Sequence, residues 1–367
     1  VLTDECTVVM YHENEVFSVQ FSPDDKKIVS ASDDTTVKIW DAEQGNLIRT
    51  LVGHGEGVRS AQFSPDGRHI VSASGDTTVK IWDADTGECV NTLEGHKKGV
   101  WSAQFSPNGR FIVSGSSDTT VKVWNAETGE CVQTLGGHTS AVTSAQFSPD
   151  GRQIVSGGWD GYINIWDTEK GTRVRKLWAH DGRVLSVQFS PDGQRIVSGG
   201  GDMTVKIWNI NRLGYPIRIL KGHRGAVGSA KFSPDGLLIV SGSSDTTVKI
   251  WDWELALCIE TLNRDEPLPP GCERSVRSVS FSNKFSSWNR MLGDRAFVDR
   301  DFLTEVLEGL DPGNIDVDEV LCKVLGNERE VDLEGGGRRK IKRTKRKLSK
   351  KRNLKKNKTR RRRTRRR

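Results

Sequence analysis

Thr78-Val79-Lys80-Ile81-Trp82-Asp83 alternates polar and apolar side chains, the pattern of a half-buried β-strand. Its Trp returns at Trp40, Trp82, Trp124, Trp166, Trp208 and Trp251, in steps of 42, 42, 42, 42 and 43 residues. A fixed period of that length is the mark of a repeat architecture and governs how every local motif is read. Two further series keep the step. The Phe of Phe-Ser-Pro-Asp, with Asn108 in place of Asp in the third copy, stands at Phe21, Phe63, Phe105, Phe147, Phe189 and Phe232, with a weaker copy at Phe281, and a His recurs at His12, His54, His96, His138, His180 and His223.

Outward from Trp82, one unit runs from residue 54 to 95. Gly57-Val58-Arg59-Ser60-Ala61-Gln62-Phe63 reads as a short strand, and Ser64-Pro65-Asp66-Gly67 as a turn, with Pro fixing φ and Gly accepting positive φ. His69-Ile70-Val71-Ser72-Ala73-Ser74 is a second strand, the stretch ending in Asp83 a third, and Cys89-Val90-Asn91-Thr92-Leu93 a fourth. Such a four-stranded meander cannot bury both faces alone, so it must stack on its neighbours.

The recurring Gly-His, Ser-Pro-Asp-Gly, Ser-x-x-Asp and Trp-Asp motifs resemble those of the WD-repeat family over residues 12–262. The resemblance implies an all-β fold, a β-propeller of four-stranded blades around a central channel. Six clear repeats are expected, with an irregular or incomplete seventh blade. Residues 263–282 form a loop and the first strand of that blade, Val276 to Ser282, after which the pattern stops. Residues 1–11 are expected to supply its closing strand, because Glu5-Cys6-Thr7-Val8-Val9-Met10 stands where a fourth strand belongs.

The rest of the chain has another character. Residues 283–334 are acidic and partly helical in pattern: Phe302, Leu303, Val306, Leu307 and Leu310 follow helical spacing, and Asp316-x-x-Glu319 resembles a capping box before a second short helix. Residues 335–367 carry 21 Lys/Arg and no acid, whereas the other 334 residues carry 34 Lys/Arg against 48 Asp/Glu, a net of −14. The overall +7 therefore belongs to the tail. With that composition the tail cannot bury a core and is expected to be disordered. Arg338, Arg339, Lys340, Lys342, Arg343, Lys345, Arg346 and Lys347, followed by Arg360, Arg361, Arg362, Arg363, Arg365, Arg366 and Arg367, suit a nuclear or nucleolar address or a nucleic-acid arm. Without an aromatic residue, the arm would engage phosphates rather than stack on bases, giving non-specific DNA or RNA binding.

Several classes are disfavoured. No apolar run approaches the roughly 18 residues of a membrane span. The six Cys show no Cys-x-x-Cys spacing, so no metal and no disulfide framework is expected, and an intracellular location fits. No phosphate-binding loop is present, and no cofactor is expected. The chain opens on Val1 rather than Met, which suits a fragment or a processed form.

His54, Ser72, Asp76 and Trp82 contain the types of a nucleophile, a base and an acid. The same types recur as His96, Ser114, Asp118 and Trp124, and as His138, Ser156, Asp160 and Trp166. An enzyme has no use for so many equivalent sites. The family resemblance implies instead a buried hydrogen-bond network inside each blade, and the chain reads as non-enzymatic.

What varies between repeats points to function, because propellers bind through one rim. After the first-strand Val come Phe17, Arg59, Trp101, Thr143, Leu185 and Gly228; before the turn Asp come Asp33, Gly75, Ser117, Trp159, Gly201 and Ser244. Arg59, Trp101 and Trp159, extended by Arg183, form the candidate rim for a protein or peptide partner, with packing of the indoles between blades as the competing reading. Three functions compete: an interaction scaffold with a targeting tail, a nucleic-acid-associated protein of ribosome assembly, chromatin or a virion acting mainly through that tail, and the sensor module of a larger signalling protein.

Overall fold

The computed structural model describes residues 10–212, 214–263 and 276–282. They form an all-β, six-bladed propeller, with no helix among the described residues. The blades span 16–51, 58–93, 100–136, 142–178, 184–220 and 227–263, and in each the four strands pair antiparallel in chain order from inner to outer. In blade two these strands are Val58–Phe63, His69–Ser74, Val79–Asp83 and Cys89–Leu93.

Stacking buries what one meander leaves exposed. Each hydrophobic cluster takes residues from two successive blades: Val29, Ile39 and Leu51 of blade one meet Phe63, Ile70 and Trp82 of blade two, and Val71, Ile81 and Leu93 of blade two meet Phe105, Ile112 and Trp124 of blade three. Trp82, Trp124, Trp166 and Trp251 are the largest fully buried side chains, and Trp40 and Trp208 are buried as well. Burying one removes roughly 150–250 Å² from water, which is worth on the order of 4–6 kcal/mol.

Hydrogen bonds between inner strands add register. The Ser60 hydroxyl accepts from Ala103 N at 3.0 Å, and Ser102 from Ala145 N at 3.1 Å. Residues 276–282 continue this relay between blades six and one. Val279 N donates to Ser229 Oγ and Val19 N to Ser278 Oγ, both at 3.4 Å, and Val276 N donates to Ser243 O at 2.9 Å. Val276 and Val279 pack on Gly242 as Val184 and Val187 pack on Gly157 two blades earlier. The segment thus stands in the place of a seventh inner strand. The expected closing strand within residues 1–11, the helices of 283–334 and the basic tail fall outside the described residues, apart from residues 10 and 11.

One local feature aims side chains at the rim. Every inner strand shifts register at its second residue: Val58 pairs with Ser74 but Ser60 with Ala73, so Arg59 is left out of the ladder. Phe17, Trp101, Thr143, Leu185 and Gly228 are the extra residues of the same bulge. A bulge bends the strand and redirects the unpaired side chain.

Candidate functional site

In blade two the His54 ring bridges Asp76 Oδ2 at 2.7 Å through Nδ1 and Ser72 Oγ at 2.7 Å through Nε2, and Trp82 Nε1 donates to the same hydroxyl at 2.8 Å. The indole N–H can only donate, so Ser72 Oγ accepts it and gives its own proton to His54 Nε2; Nδ1–H then donates to the carboxylate. His96, Ser114, Asp118 and Trp124 repeat the chain at 2.8 Å in all three links. His138, Ser156, Asp160 and Trp166 repeat it at 2.9–3.0 Å. Ser72, Ser114 and Ser156 are 0% exposed, so no substrate carbonyl can reach a hydroxyl oxygen.

The electrostatics follow from burial and satisfaction. Burial pushes the Asp76 carboxyl up, but hydrogen bonds from Thr78 N, Gly55 N, Thr78 Oγ1 and His54 outweigh it and hold the group at about 2. Asp118 is held at about 2 in the same way. Burial drives the His54 and His96 rings below their ordinary value, only partly offset by the neighbouring carboxylate, so they are neutral near pH 7. Each carboxylate also shapes its turn: Thr77 and Thr119 hold φ of 73°, a left-handed conformation unusual for a non-glycine residue, and blade four has Gly161 there.

At the rim, the bulge residues and their neighbours stack in sequence around the inner strands. The Arg59 guanidinium lies 4.3 Å over the Phe17 ring and 5.5 Å from the Trp101 ring, with Nη1 3.2 Å from Asp33 Oδ1. A Cβ at Gly57 would collide with that Asp33 oxygen, so the glycine admits the carboxylate that orients Arg59. Trp101 donates from Nε1 to Ser117 Oγ at 2.7 Å and meets Trp159 at a 5.7 Å ring separation and 51° tilt. Arg183 is exposed and stacks 4.1 Å over Trp159. Both indoles are half-buried, and the Trp159 Nε1 atom is buried with no hydrogen-bond partner.

The four rim residues chosen from sequence thus stand in one contiguous array, and the array extends beyond them. Arg277 lies 5.3 Å from the Phe17 ring and pairs with Glu15. Sequence reasoning missed Arg277, although it follows Val276 as Arg59 follows Val58, and that register was the available signal. Such cation–ring contacts are worth about 0.5–1 kcal/mol each when exposed and about 2 when desolvated.

Among the described residues no group of three or more His, Cys, Asp or Glu is placed to hold a metal ion. No helix there is long and apolar enough to cross a membrane. Residues 338–367, the candidate targeting or nucleic-acid residues, lie outside the described part.

With this geometry in hand, comparison with known proteins is informative. The model of the WD domain, G-beta repeat, matches residues 4–41, 45–83, 87–125, 129–167, 171–209 and 214–252, more than half of the chain. Over 47 residues, 13% of this chain and 10% of the relative, it is 51% identical to nuclear distribution protein PAC1 of Tuber melanosporum. Over 43 residues, 12% of this chain and 10% of the relative, it is 54% identical to nuclear distribution protein nudF of Aspergillus flavus. The chain spans about a tenth of the length of these curated relatives.

Proposed function

Because the chain belongs to the WD domain, G-beta repeat family, we propose that it is a non-enzymatic scaffold that captures a protein or peptide on the collar of Arg59, Trp101, Trp159 and Arg183. The observation that carries this reading is the unbroken stack of guanidinium groups and rings at one end of the inner strands. Trp and Arg dominate binding hot spots because they bring large apolar area and directional donors to one place. The collar is held in place from below, by Asp33 for Arg59 and Ser117 for Trp101, so little side-chain entropy remains to be lost on binding. The non-enzymatic reading draws support from the inaccessible hydroxyl oxygens of the Ser–His–Asp sets.

The proposal includes the tail. With 21 Lys/Arg in residues 335–367, it directs the protein to the nucleus or nucleolus, or holds it on nucleic-acid phosphates. The same charge density favours a second reading, in which the tail is the main active part and the propeller an accessory. The relatives named as nuclear distribution proteins share only short stretches with this chain, and their name describes those proteins.

The test is capture by the immobilised full chain and by Trp101→Ala. Proteins held by the first and lost by the second, at equal melting temperature, support the collar. Identical capture by both overturns it.

A further inference from the structure

Hydrophobic clusters join each pair of successive blades from one–two to five–six, and none among the described residues joins blade six to blade one. The side chains that face each other across that seam are correspondingly open. On blade six, Leu262 is 40% exposed, whereas Leu51, Leu93, Leu135, Leu177 and Leu220 at the same position are 1–7% exposed. Val248 and Ile250 are half-buried, although their counterparts Val79 and Ile81 are buried. On blade one, Val16, Phe21 and Ile28 are half-buried, although Val58, Phe63 and Ile70 are buried. These are the positions that an adjacent blade covers elsewhere: Val58, Phe63 and Ile70 pack on blade one, and Val79, Ile81 and Leu93 on blade three.

Residues 276–282 reach only the inner end of the seam. Their backbone is tied to blade six by Val276 N, which donates to Ser243 O, and by Val279 N, which donates to Ser229 Oγ. No strand among the described residues pairs with them, because each of the six sheets consists of the four strands of its own blade. An unpaired backbone edge between two apolar flanks is a template for added strands.

The sequence that follows is unsuited to that place. In the register that carries Phe63 to Val71, Ser72, Ile81 and Trp82, Phe281 arrives at Asn289, Arg290, Asp299 and Arg300. All four positions are buried in blade two, and unpaired charges there would be costly. The N-terminal sequence is different. Val9 precedes His12 as Leu51 precedes His54, and the first family match starts at residue 4. The chain therefore encodes an inner and an outer strand for this place, with no recognisable pair between them.

We propose that the open seam between blades six and one receives a β-hairpin from a partner protein. The hairpin pairs with the edge of residues 276–282 and is apolar on both faces, because it lies between two blades. Its fitting pattern is that of this protein's own second and third strands, since the two flanks present the same residue types as every other interface. The surface is separate from the collar and does not depend on the partner proposed above.

The probe is a synthetic peptide with the sequence of residues 69–83, the second and third strands of blade two, added to the full chain. A scrambled peptide of the same composition is the control, so attraction to the basic tail cancels. Hydrogen–deuterium exchange is followed along the backbone. In the free monomer the amides of residues 276–282 should exchange faster than those of Val58–Phe63, and the peptide should slow them at least tenfold in a saturable way that the scrambled peptide does not reproduce. Leu262→Asp changes a side chain already exposed in the free chain, so it should melt within about 3 °C of the parent and bind the peptide at least tenfold more weakly. The exchange measurement on the parent decides the matter even where that variant folds poorly. Amides of residues 276–282 as protected in the free monomer as those of Val58–Phe63 would mean that the chain fills the seam itself, and protection that appears only with a dimer in light scattering would assign it to a second copy. Either result, or an equal response to both peptides, would overturn the proposal.

Discussion

Replacing His96 by Ala should lower stability by about 2–4 kcal/mol, and the structure shows how that figure arises. The ring makes two hydrogen bonds of 2.8 Å, to Asp118 and to Ser114. After the change Asp118 keeps donors from Lys97 N, Thr120 N and Thr120 Oγ1, so the carboxylate is only partly deprived. Ser114 fares worse: its oxygen still accepts from Trp124 Nε1, but its own proton has no acceptor in a fully buried site. One stranded buried donor costs about 1–3 kcal/mol, and the cavity left by a side chain that is 1% exposed adds about 1 more. For a cooperative unit of this size, a loss of about 3 kcal/mol lowers the melting temperature by roughly 6–12 °C. Calorimetry of the purified variant checks this, with His96→Ala/Ser114→Ala as the second corner of a double-mutant cycle. Because both single changes break the same link, the double variant should lose less than the sum of the singles. A melting temperature within about a degree of the parent, or strict additivity, would refute the network argument.

Other outcomes follow from the same geometry. Burial lowers the folded-state values of His12, His54, His96 and His223, so the unfolded chain takes up protons first as pH falls through about 6.5; the melting temperature should drop between about pH 7.5 and 5.5, then again from about pH 4 toward 2 as the carboxyls of Asp76 and Asp118 lose their advantage, and a flat profile down to about pH 5 contradicts the histidine part. Trp101→Ala should remove partner capture while shifting the melting temperature by less than about 3 °C, since the ring is only half-buried; a large loss of stability with capture retained reverses that assignment. Thr119→Gly should stabilise by up to about 1 kcal/mol by relieving a left-handed conformation that blade four already gives to Gly161, and a lower melting temperature would show that the threonine methyl and hydroxyl matter more. Deleting 335–367 should abolish retention on duplex DNA; if the intact tail engages roughly 8–10 phosphates, log affinity falls with log salt at a slope of about −7 to −9, and equal retention of both proteins on a heparin column excludes the tail as the cause.

The repeat carried most of the fold into view because every blade solves the same packing problem with the same residues. Period, turn chemistry and alternation placed the four strands of each blade, and the His, Ser, Asp and Trp series marked the positions that hydrogen bonds link across 10–22 residues. What the repeat hid was the consequence of its exceptions. Arg277 sits after a loop that breaks the count, so its equivalence to Arg59 depends on a segment with only one recognisable strand. Lys231 is a single change from glutamine within an otherwise regular strand, and its desolvation arises only once the strand is packed in the assembled ring.

The bulge explains how one sequence unit keeps a constant frame and a variable surface. Residues that stay in the ladder, such as Val58 and Ser60, have partners fixed by backbone pairing and by the next blade, so their identity is constrained by packing. The residue between them is excluded from the ladder and turned to the rim, where Phe17, Arg59, Trp101, Thr143, Leu185 and Gly228 can differ without moving a strand. The aromatic and cationic side chains at that position fall on successive blades, one, two and three, and Trp159 of blade four and Arg183, just before blade five, carry the stack on. Blade six has only Gly228 there, and a Cβ at that glycine would already lie 3.3 Å from Arg277 O. Among the described residues the stack is therefore an arc rather than a full ring, with its open sector at blade six. A partner held by such an arc would make unequal contacts around the axis, which would fix its rotational orientation on the propeller as well as its position.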